Sequence, residues 1–593
     1  MSQYKTPLRD FQFVLHELLE TSAVMQSCGR DEFDRDTIDQ VLSAAGQFGE
    51  EVISPLNARG DEEGCTLRDG VVTTPSGFRE AYQQYIENGW SALGCSTEHG
   101  GSAFPTVVEN AVSEIFGAAN MALTSYPGMS NATYVNLRAN GSPELKAMYL
   151  PKLASGQWAG TMCLTEPHAG TDLGLLRTRA EWQADGSYRI TGSKIFISGG
   201  EHDLTENIVH LVLARLPDAP TGVKGISLFL VPKEIPNADG TLGRRNAVVC
   251  GSIEHKMGIH GNSTCTMNFD GATGWLVGDA HKGLAGMFVQ MNHLRLGVGI
   301  TAIGVMEAAW QKSLRYANER VQGRAPGSGT VSGADPILLH ADVRRMLLTQ
   351  KASVEGLRAL ALWASQLIDL SHAHPDAERR RDAGALLALL TPVVKAMASD
   401  TALESTLTAM QVLGGHGYVR DNGVEQHVRD VRIVGLYEGT NGVQAMDLLG
   451  RKVLADGGLR MAGFIEHVSR QAEAQRDQPG LQEFAAPVVE LAQRLAAVTS
   501  ELVELSTGDV HAAGAASVPY LRLVGHLALS HVWLRAVQVA LPKSGSGDPF
   551  YASKVATARF YLRRMMPQCL ALCEEIRAGA APVMDPSILL STP

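Results

Sequence analysis

The segment Leu436-Tyr437-Glu438-Gly439-Thr440-Asn441 sets one carboxylate between a tyrosine and a glycine on a short loop, behind a long helical stretch that ends in Arg429-Asp430-Val431-Arg432. A carboxylate so placed can abstract a proton, and Glu438 is the chain's best candidate for a catalytic base. The plainer alternative is a glutamate paired with a nearby arginine such as Arg432. A second segment, Cys163-Leu164-Thr165-Glu166-Pro167-His168-Ala169-Gly170-Thr171-Asp172, lies far upstream and outside any helical pattern. Taken alone it also reads as a capped turn.

Together the two segments resemble the acyl-CoA dehydrogenase family. Its members carry, in order, a T-E-P-x-A-G-S/T-D segment, a K-x-W/F-I-S/T strand, an R-x-Q turn, Q-x-x-G-G-x-G-Y and Y-E-G-T. Here the last four read Lys194-Ile195-Phe196-Ile197-Ser198, Arg320-Val321-Gln322, Gln411-Val412-Leu413-Gly414-Gly415-His416-Gly417-Tyr418 and Tyr437-Glu438-Gly439-Thr440. Any one motif is weak, and five in order are strong. The resemblance covers residues 30 to 455 or so, and Gly89-Trp90 through Gly100-Gly101 resembles a further family turn, with Ser96 where proline is usual.

The resemblance implies an FAD-dependent acyl-CoA dehydrogenase. Glu438 would take a proton from Cα while a hydride leaves Cβ for the flavin, giving a trans-2-enoyl-CoA. The backbone N–H of Glu438 would donate to the thioester oxygen, and Gly439 would let the thioester come close to the backbone. Leu164, Thr165, Gly170 and Thr171 would line the flavin, with Phe196, Ile197 and Ser198 over the ring's other side. Arg320 and Gln322 would face the pyrophosphate of a neighbouring subunit's cofactor, since a guanidinium grips phosphate in two places. Gln411, Gly414 and Gly415 would meet its adenosine end, and Thr440 and Asn441 complete the turn beside the flavin. Thr171, Asn292, Arg295 and Gly439 would contact the acyl-CoA. Arg320 also reads as a helix C-terminal residue, and Gly414-Gly415 as a helix C-cap, a role compatible with the first. His293 reads as packed or surface, and Trp182, Trp275 and Trp310 as core or interface residues.

The implied partners are an acyl-CoA, an electron-transferring flavoprotein and a second copy of the chain in a homodimer. Length, the R-V-Q-G-R turn and the extra C-terminal helices look like the long subfamily that includes 3-(methylthio)propanoyl-CoA dehydrogenases, so the pathway is fatty-acid β-oxidation or breakdown of that thioester. Two alternatives stay open: an acyl-CoA oxidase that returns electrons to oxygen, and a non-catalytic DNA-binding or assembly relative.

The elements that must position these residues fill 593 residues, too many for one core when domains run about 50 to 250 residues. Hydrophobic content of 45% with 19% charged residues is that of a folded globular chain. A net charge of -11 opposes nonspecific nucleic-acid binding. No stretch of about 18 uninterrupted apolar residues and no signal-peptide pattern is found, so a cytoplasmic protein without a transmembrane segment is expected. The eight cysteines make no C-x-x-C pair, Cys569 and Cys573 share a helical face as a core pair, and no zinc-ligand spacing appears, so no metal is expected.

Phe11, Val14, Leu15, Leu18 and Leu19 recur at helical spacing behind Pro7, and Thr37 to Val52 repeats the pattern after an Asp34-Arg35-Asp36 cap. From Trp158 the period shortens into β-rich runs around 188–191, 208–213, 226–231 and 264–269, after which Gly271-Ala272-Thr273-Gly274 reads as a turn out. Helical periodicity returns at Gly283 and lasts to about Leu454, broken at 323–329 and at His374-Pro375. After Gly457-Gly458 an alanine- and leucine-rich tail follows, in which Asp548 caps and Pro549 opens the last helix. The expected fold is mainly α with a central β domain. An N-terminal helical domain (1–157), a barrel-like middle β domain (158–280) and a helical bundle carrying the base (281–456), four-helix by the resemblance, precede an appended C-terminal helical domain (457–593).

Overall fold

The computed structural model describes residues 4–328 and 333–589. Two compact units emerge, one built on residues 44–297 and the other on residues 5–43 together with 298 onwards. The segment 5–43, expected to open the N-terminal domain, thus belongs with the C-terminal half. Its helix α1 (Leu8–Gln12) runs into a wider π-helical turn, Phe13–Leu18, and Phe11, Phe13, Val14 and Leu15 are all buried. Phe13 meets the rings of Phe550 and Tyr551 edge-on. Helix α2 (Arg35–Phe48) starts at the expected cap, where Asp34 accepts from the Thr37 N–H at 2.8 Å.

The first unit sets helices α3 (Thr106–Ala119), α4 (Met121–Asn140) and α5 (Pro143–Ala154) before a sheet of seven strands. These are β1 (Trp158–Cys163), β2 (Arg179–Trp182), β3 (Tyr188–Ser198), β4 (Asn207–Arg215), β5 (Ile226–Pro232), β6 (Val248–Ile253) and β7 (Thr264–Val277). Strand β7 pairs with β6, β3 and β5, β3 with β2, β2 with β4, and β4 with β5. The pairing therefore returns on itself through β5, which is the barrel-like closure expected of the middle region. Strand β1 lies parallel to β4 at the rim.

Along β4, Val209, Leu211 and Leu213 pack with Tyr134, Leu137, Tyr149 and Trp158, while Val212 and Ala214 point inward among Ile190, Phe229 and Phe269. Covered on both faces, this strand reads in sequence as an unbroken apolar run. The Gly271–Gly274 stretch is not a turn. Strand β7 continues to Val277, and Gly271, at φ +75°, sits at a shift of register with β3 between Asp270 and Ala272. Such a glycine lets the strand bulge and coil without leaving the sheet.

The second unit is helical. Long helices α6 (Gly283–Glu319, its first turns to Gly297 clustering with the other unit), α7 (Ala341–Ala373) and α8 (Ala377–Leu413) lead to α9 (Val424–Val431) and α10 (Asn441–Met446). The turn at His374-Pro375 makes α7 and α8 an antiparallel hairpin. Of the expected loop at 323–329, Gly329 lies outside the described residues. Residues 377–418 are long and apolar enough to cross a membrane by length and composition, yet α8 carries the buried Leu390, Val393, Val394 and Ala398 of the bundle interior.

The tail adds α11 (Leu459–Arg476), α12 (Gln482–Gly508), α13 (Ala512–Ala540), α14 (Pro549–Phe560) and α15 (Cys569–Arg577). Helix α13 is apolar around its circumference and buried along most of its length, which makes it the centre of this region. Asp548 does cap α14, accepting from the Phe550 N–H at 2.9 Å, but α14 is not the last helix. Cys569 and Cys573 on α15 are free thiols with 3% and 2% exposure, the core pair that their spacing suggested.

Candidate functional site

In the helical unit, the stretch before Glu438 is shorter than its sequence suggests. Helix α9 begins after Gly423, whose φ of +61° breaks the chain's direction, and a single 3-10 turn, Arg432–Gly435, delivers the loop. Glu438 has φ +57° and Gly439 φ +86°. The left-handed region suits the glycine and strains the glutamate by about 1–3 kcal/mol, so surrounding bonds must hold the turn in place. They are on hand. The Lys395 ammonium, fully buried on α8, donates to the Gly439 carbonyl at 3.0 Å and to Asn441 Oδ1 at 2.9 Å. Gln444 Nε2 reaches the same carbonyl at 3.1 Å, and the Ser399 hydroxyl donates to Asn441 Oδ1 at 3.1 Å. Asn441 Nδ2 donates to Asp400 at 2.6 Å, and Thr440 caps α10 by accepting from the Val443 N–H.

Both ends of the Asn441 amide are thus spent inside the protein. Its side chain braces the turn that it completes. Burial, then the neighbouring charge of Glu438, keeps the Tyr437 phenol protonated well above its ordinary range.

In the β unit, the loop after β1 folds tightly on itself, with Glu166 and Ala169 exchanging backbone hydrogen bonds of 2.9 and 3.0 Å around Pro167 and His168. The Glu166 carboxylate, 3% exposed, accepts from the Arg177 N–H (2.7 Å), the Thr178 N–H (3.0 Å) and hydroxyl (2.6 Å), and Lys194 Nζ (2.9 Å). Lys194, with no exposed surface, also donates to the Leu164 carbonyl at 2.9 Å. Burial pushes the Glu166 carboxyl up, but Lys194 and these donors outweigh it and hold it below the usual range; for Lys194 burial wins and lowers its ammonium. The pair bolts the loop to β3, as does the Ile195 N–H to the Thr165 carbonyl at 2.9 Å.

On β3 the register with β7 slips between Lys194 and Ile197, leaving Ile195 and Phe196 as a bulge. Phe196 takes φ +60° and stands 59% exposed, re-aimed out of the sheet. Ile197 is 2% exposed in the barrel core and Leu164 8%. The hydroxyls of Thr165 and Thr171 make no hydrogen bond among the described residues, and space beside Gly170 is open.

The remaining expected residues divide by exposure. Arg320, Gln322, Gln411, Gly414 and Gly415 are exposed, and the phenol ring of Tyr418 beside them in sequence is 82% exposed. The Arg320–Gln322 turn is fixed by Asp335, which exchanges backbone bonds with Gln322 and Gly323 and accepts from the Ala325 N–H. Gly414, at φ +59°, is the α8 C-cap. Arg295 is 4% exposed and donates to Asn292 at 3.2 Å. Burial lowers His293 to about 4, which keeps it neutral and agrees with a packed histidine. Trp182 is 64% exposed on the short strand β2, which removes the core reading and leaves the interface one. Tyr126 on α4 is buried, and its hydroxyl donates to the Gly261 carbonyl at 3.2 Å and accepts from the Ser263 N–H at 2.8 Å.

Four family models cover the chain in succession: the N-terminal (35–157), middle (161–272) and C-terminal (281–454) domains of acyl-CoA dehydrogenase, and an acetyl-CoA dehydrogenase C-terminal-like domain (460–587). The 3-methylmercaptopropionyl-CoA dehydrogenase of Ruegeria pomeroyi is 41% identical over 574 residues, spanning 96% of this chain and 97% of that protein. The chain belongs to the acyl-CoA dehydrogenase family. A butyryl-CoA dehydrogenase of Syntrophomonas wolfei is 34% identical over 98% of each chain. The solved acyl-CoA dehydrogenase complexed with FAD from Bacillus anthracis shares the fold, with a TM-score of 0.75 at 20% identity over 92% of this chain and 88% of the other.

As a member of this family the protein is an oxidoreductase of the CH–CH group that uses FAD and acts on an acyl-CoA. The β unit offers what a planar, polar-edged cofactor needs: an exposed aromatic ring on a rigid bulge and unspent threonine hydroxyls on a bolted loop. Two features of this chain leave no local pattern in its sequence, the Glu166–Lys194 bolt and the Lys395 brace. Lys395 did leave a signal, as a lone charge in the apolar run Val393-Val394-Lys395-Ala396-Met397.

Proposed function

We propose that the substrate is a short- or medium-chain saturated acyl-CoA, 3-(methylthio)propanoyl-CoA among them, with Glu438 as the base that removes the Cα proton. The observation that carries the substrate class is 41% identity, across essentially the whole chain, to a relative named for that thioester. When bound, FAD supplies the acceptor for the Cβ hydride. The protein's own part is to hold a carboxylate on a fixed turn, and to offer the Glu438 N–H to the thioester oxygen so that enolate charge is met as it develops. Thr165, Thr171, Phe196 and Ser198, with the backbone of Leu164, Gly170 and Ile197, would hold the flavin.

A panel of acyl-CoAs from short to long, read as kcat/KM with a flavoprotein acceptor, tests the substrate. One methylene in a matched pocket is worth roughly 1–3 kcal/mol, so the preference should appear as steps of about tenfold or more. An optimum at long chains without turnover of short ones would overturn the substrate and leave the family untouched. The same assay, run with an electron-transferring flavoprotein against oxygen alone, tests the proposed acceptor: reduced enzyme should pass electrons to the flavoprotein and consume little oxygen.

We also infer a homodimer in which Arg320, Gln322, Gln411, Gly414 and Gly415 serve the partner's cofactor. Their exposure, and that of Tyr418 at 82%, supports this reading. Sedimentation of the holoprotein should give twice the chain mass, and Arg320→Ala should weaken FAD retention without unfolding either unit.

The Glu166–Lys194 bolt makes a further prediction. Lys194→Met leaves a buried carboxylate without its cation, at a cost of about 3–5 kcal/mol, and releases the loop from β3. Purified variant should carry far less FAD than wild type, measured as the ratio of flavin to protein absorbance. Full flavin occupancy would show that the loop holds the cofactor without the bolt.

A further inference from the structure

We propose that Lys395 is a positioning residue for proton abstraction: its buried ammonium fixes the Gly439 carbonyl and so holds Glu438 in the left-handed turn from which it reaches Cα. The proposal rests on the reading of Glu438 as base and extends it to a residue on a different element, far away in sequence.

Three observations lead to it. First, Glu438 and Gly439 take consecutive left-handed conformations, φ +57° and +86°. The glycine does so freely. The glutamate does not, and a strained turn persists only where neighbouring bonds over-determine it. Second, the Gly439 carbonyl accepts from two side chains, Lys395 Nζ at 3.0 Å and Gln444 Nε2 at 3.1 Å, and Gln444 also reaches toward the Glu438 carbonyl at 3.4 Å. The backbone on the C-terminal side of the base is therefore clamped from α8 and α10 at once. Third, Lys395 has no exposed surface, and an ammonium taken out of water is costly unless strongly hydrogen-bonded. A neutral residue would satisfy the packing of Val393, Val394 and Ala396 around it. Two hydrogen bonds of the ammonium end on the base's loop, on Gly439 and on Asn441, whose amide is anchored in turn by Ser399 and Asp400.

This arrangement acts through Glu438 and does not itself touch substrate. With the clamp in place, the carboxylate is presented in one orientation. Without it, the turn is free to relax to an unstrained conformation that carries the side chain away from Cα. Reacting groups must stay within a fraction of an ångström of the productive geometry, and a misplacement of about 1 Å costs up to ~100-fold.

The test isolates proton abstraction from hydride transfer. An acyl-CoA with sulfur in place of the β-methylene has no β-hydride to give, but its Cα–H can still pass to Glu438, leaving the electron pair in the enolate. Exchange of that hydrogen with deuterated solvent, catalysed by the FAD-loaded enzyme, is followed by mass spectrometry. Lys395→Met should slow exchange at saturating thioester at least ~10-fold, with flavin content, melting temperature and thioester dissociation constant near wild type, and Lys395→Arg should recover part of the rate. Wild-type exchange in a folded, flavin-loaded Lys395→Met protein overturns the proposal, as does a loss wholly accounted for by weaker thioester binding. If Lys395→Met does not accumulate, Gln444→Met is read instead. It removes the second donor to the same carbonyl and no charge, the same slowing is expected, and unchanged exchange overturns the proposal. Glu438→Gln is the control that separates the two readings: exchange that survives in it sinks the base assignment itself, whereas a Lys395 result at wild-type rate beside an inactive Glu438→Gln sinks only the clamp.

Discussion

Glu438→Gln should bind FAD and fold as the wild type does, yet lose flavin reduction by a saturated acyl-CoA by at least ~100-fold. The amide preserves the side chain's volume and its capacity for hydrogen bonds, and the φ of +57° at this position is no harder for glutamine than for glutamate. What it cannot do is accept the Cα proton. Anaerobic mixing of oxidised enzyme with substrate, followed by the bleaching of the flavin band, reads that step directly and independently of the electron acceptor. Reduction at a near-normal rate would remove Glu438 from the chemistry and restore the alternative of a glutamate serving an ion pair with a residue such as Arg432. The backbone N–H offered to the thioester oxygen is unchanged in this variant, so residual substrate polarisation should survive and thioester affinity should change little.

How far the chain could be read beforehand follows from the range over which each feature is encoded. The barrel strands and long helices announce themselves because period 2 and period 3.6 are local: Tyr188–Ser198 alternates, and Leu389, Leu390, Val393, Val394, Met397 and Ala398 recur as a helix interior. The base was legible because its turn needs Gly439 beside it. Gly271 reads in sequence as a turn because a glycine at φ +75° serves a bulge and a turn equally, and only the partner strand decides between them. The stretch before Glu438 reads as long and helical because the spacing of Val424, Val428 and Val431 is local, whereas the left-handed Gly423 that precedes α9 and the 3-10 turn that follows it leave no apolar signal. Phe196 and Ile197 are neighbours in sequence, and the bulge sends one outward and the other into the core. The deepest omissions are pairings between distant residues. Glu166 with Lys194, and Lys395 with Gly439, are each made by elements that no local window contains, and a buried charge looks in sequence like any other lysine or glutamate.

The tail beyond Gly458 poses the same problem on a larger scale, and its attachment gives the second large expectation. Lys554 on α14 lies in a buried cluster with Asp10 of the N-terminal segment and Glu355 of α7, the latter at 2.8 Å. Arg358 reaches Asp10 at 2.6 Å and Glu307 at 2.7 Å, and Lys351 pairs with Glu355. Three acids and three bases thus balance in one network that joins the N-terminal segment, the bundle and the tail. Burial alone would push Asp10 up and Lys554 down. The opposing charges outweigh it, holding the Asp10 carboxyl below the carboxylate range and Lys554 above the usual lysine value.

The signs fix the pH window. A carboxyl lowered by folding contributes stability above its unfolded value near ~4, lost as pH falls through the folded value. A lysine raised by folding contributes below its unfolded value near ~10.4, lost as pH climbs through the folded one. Between roughly 4 and 10 the network's contribution should be flat. Lys554→Met removes one cation and leaves a buried surplus of negative charge, which should cost about 3–5 kcal/mol and lower the apparent melting temperature of the helical unit. Asp10→Asn with Lys554→Met should cost less than the sum of the two single changes, because Arg358 keeps Glu307 and Glu355 keeps Lys351. Strict additivity, or a Lys554→Met protein as stable as wild type, would mean the tail is held by the apolar faces of α13 and α14 alone. Flavin reduction in any variant that remains folded should be near normal, since none of these charges belongs to the loop that carries Glu438.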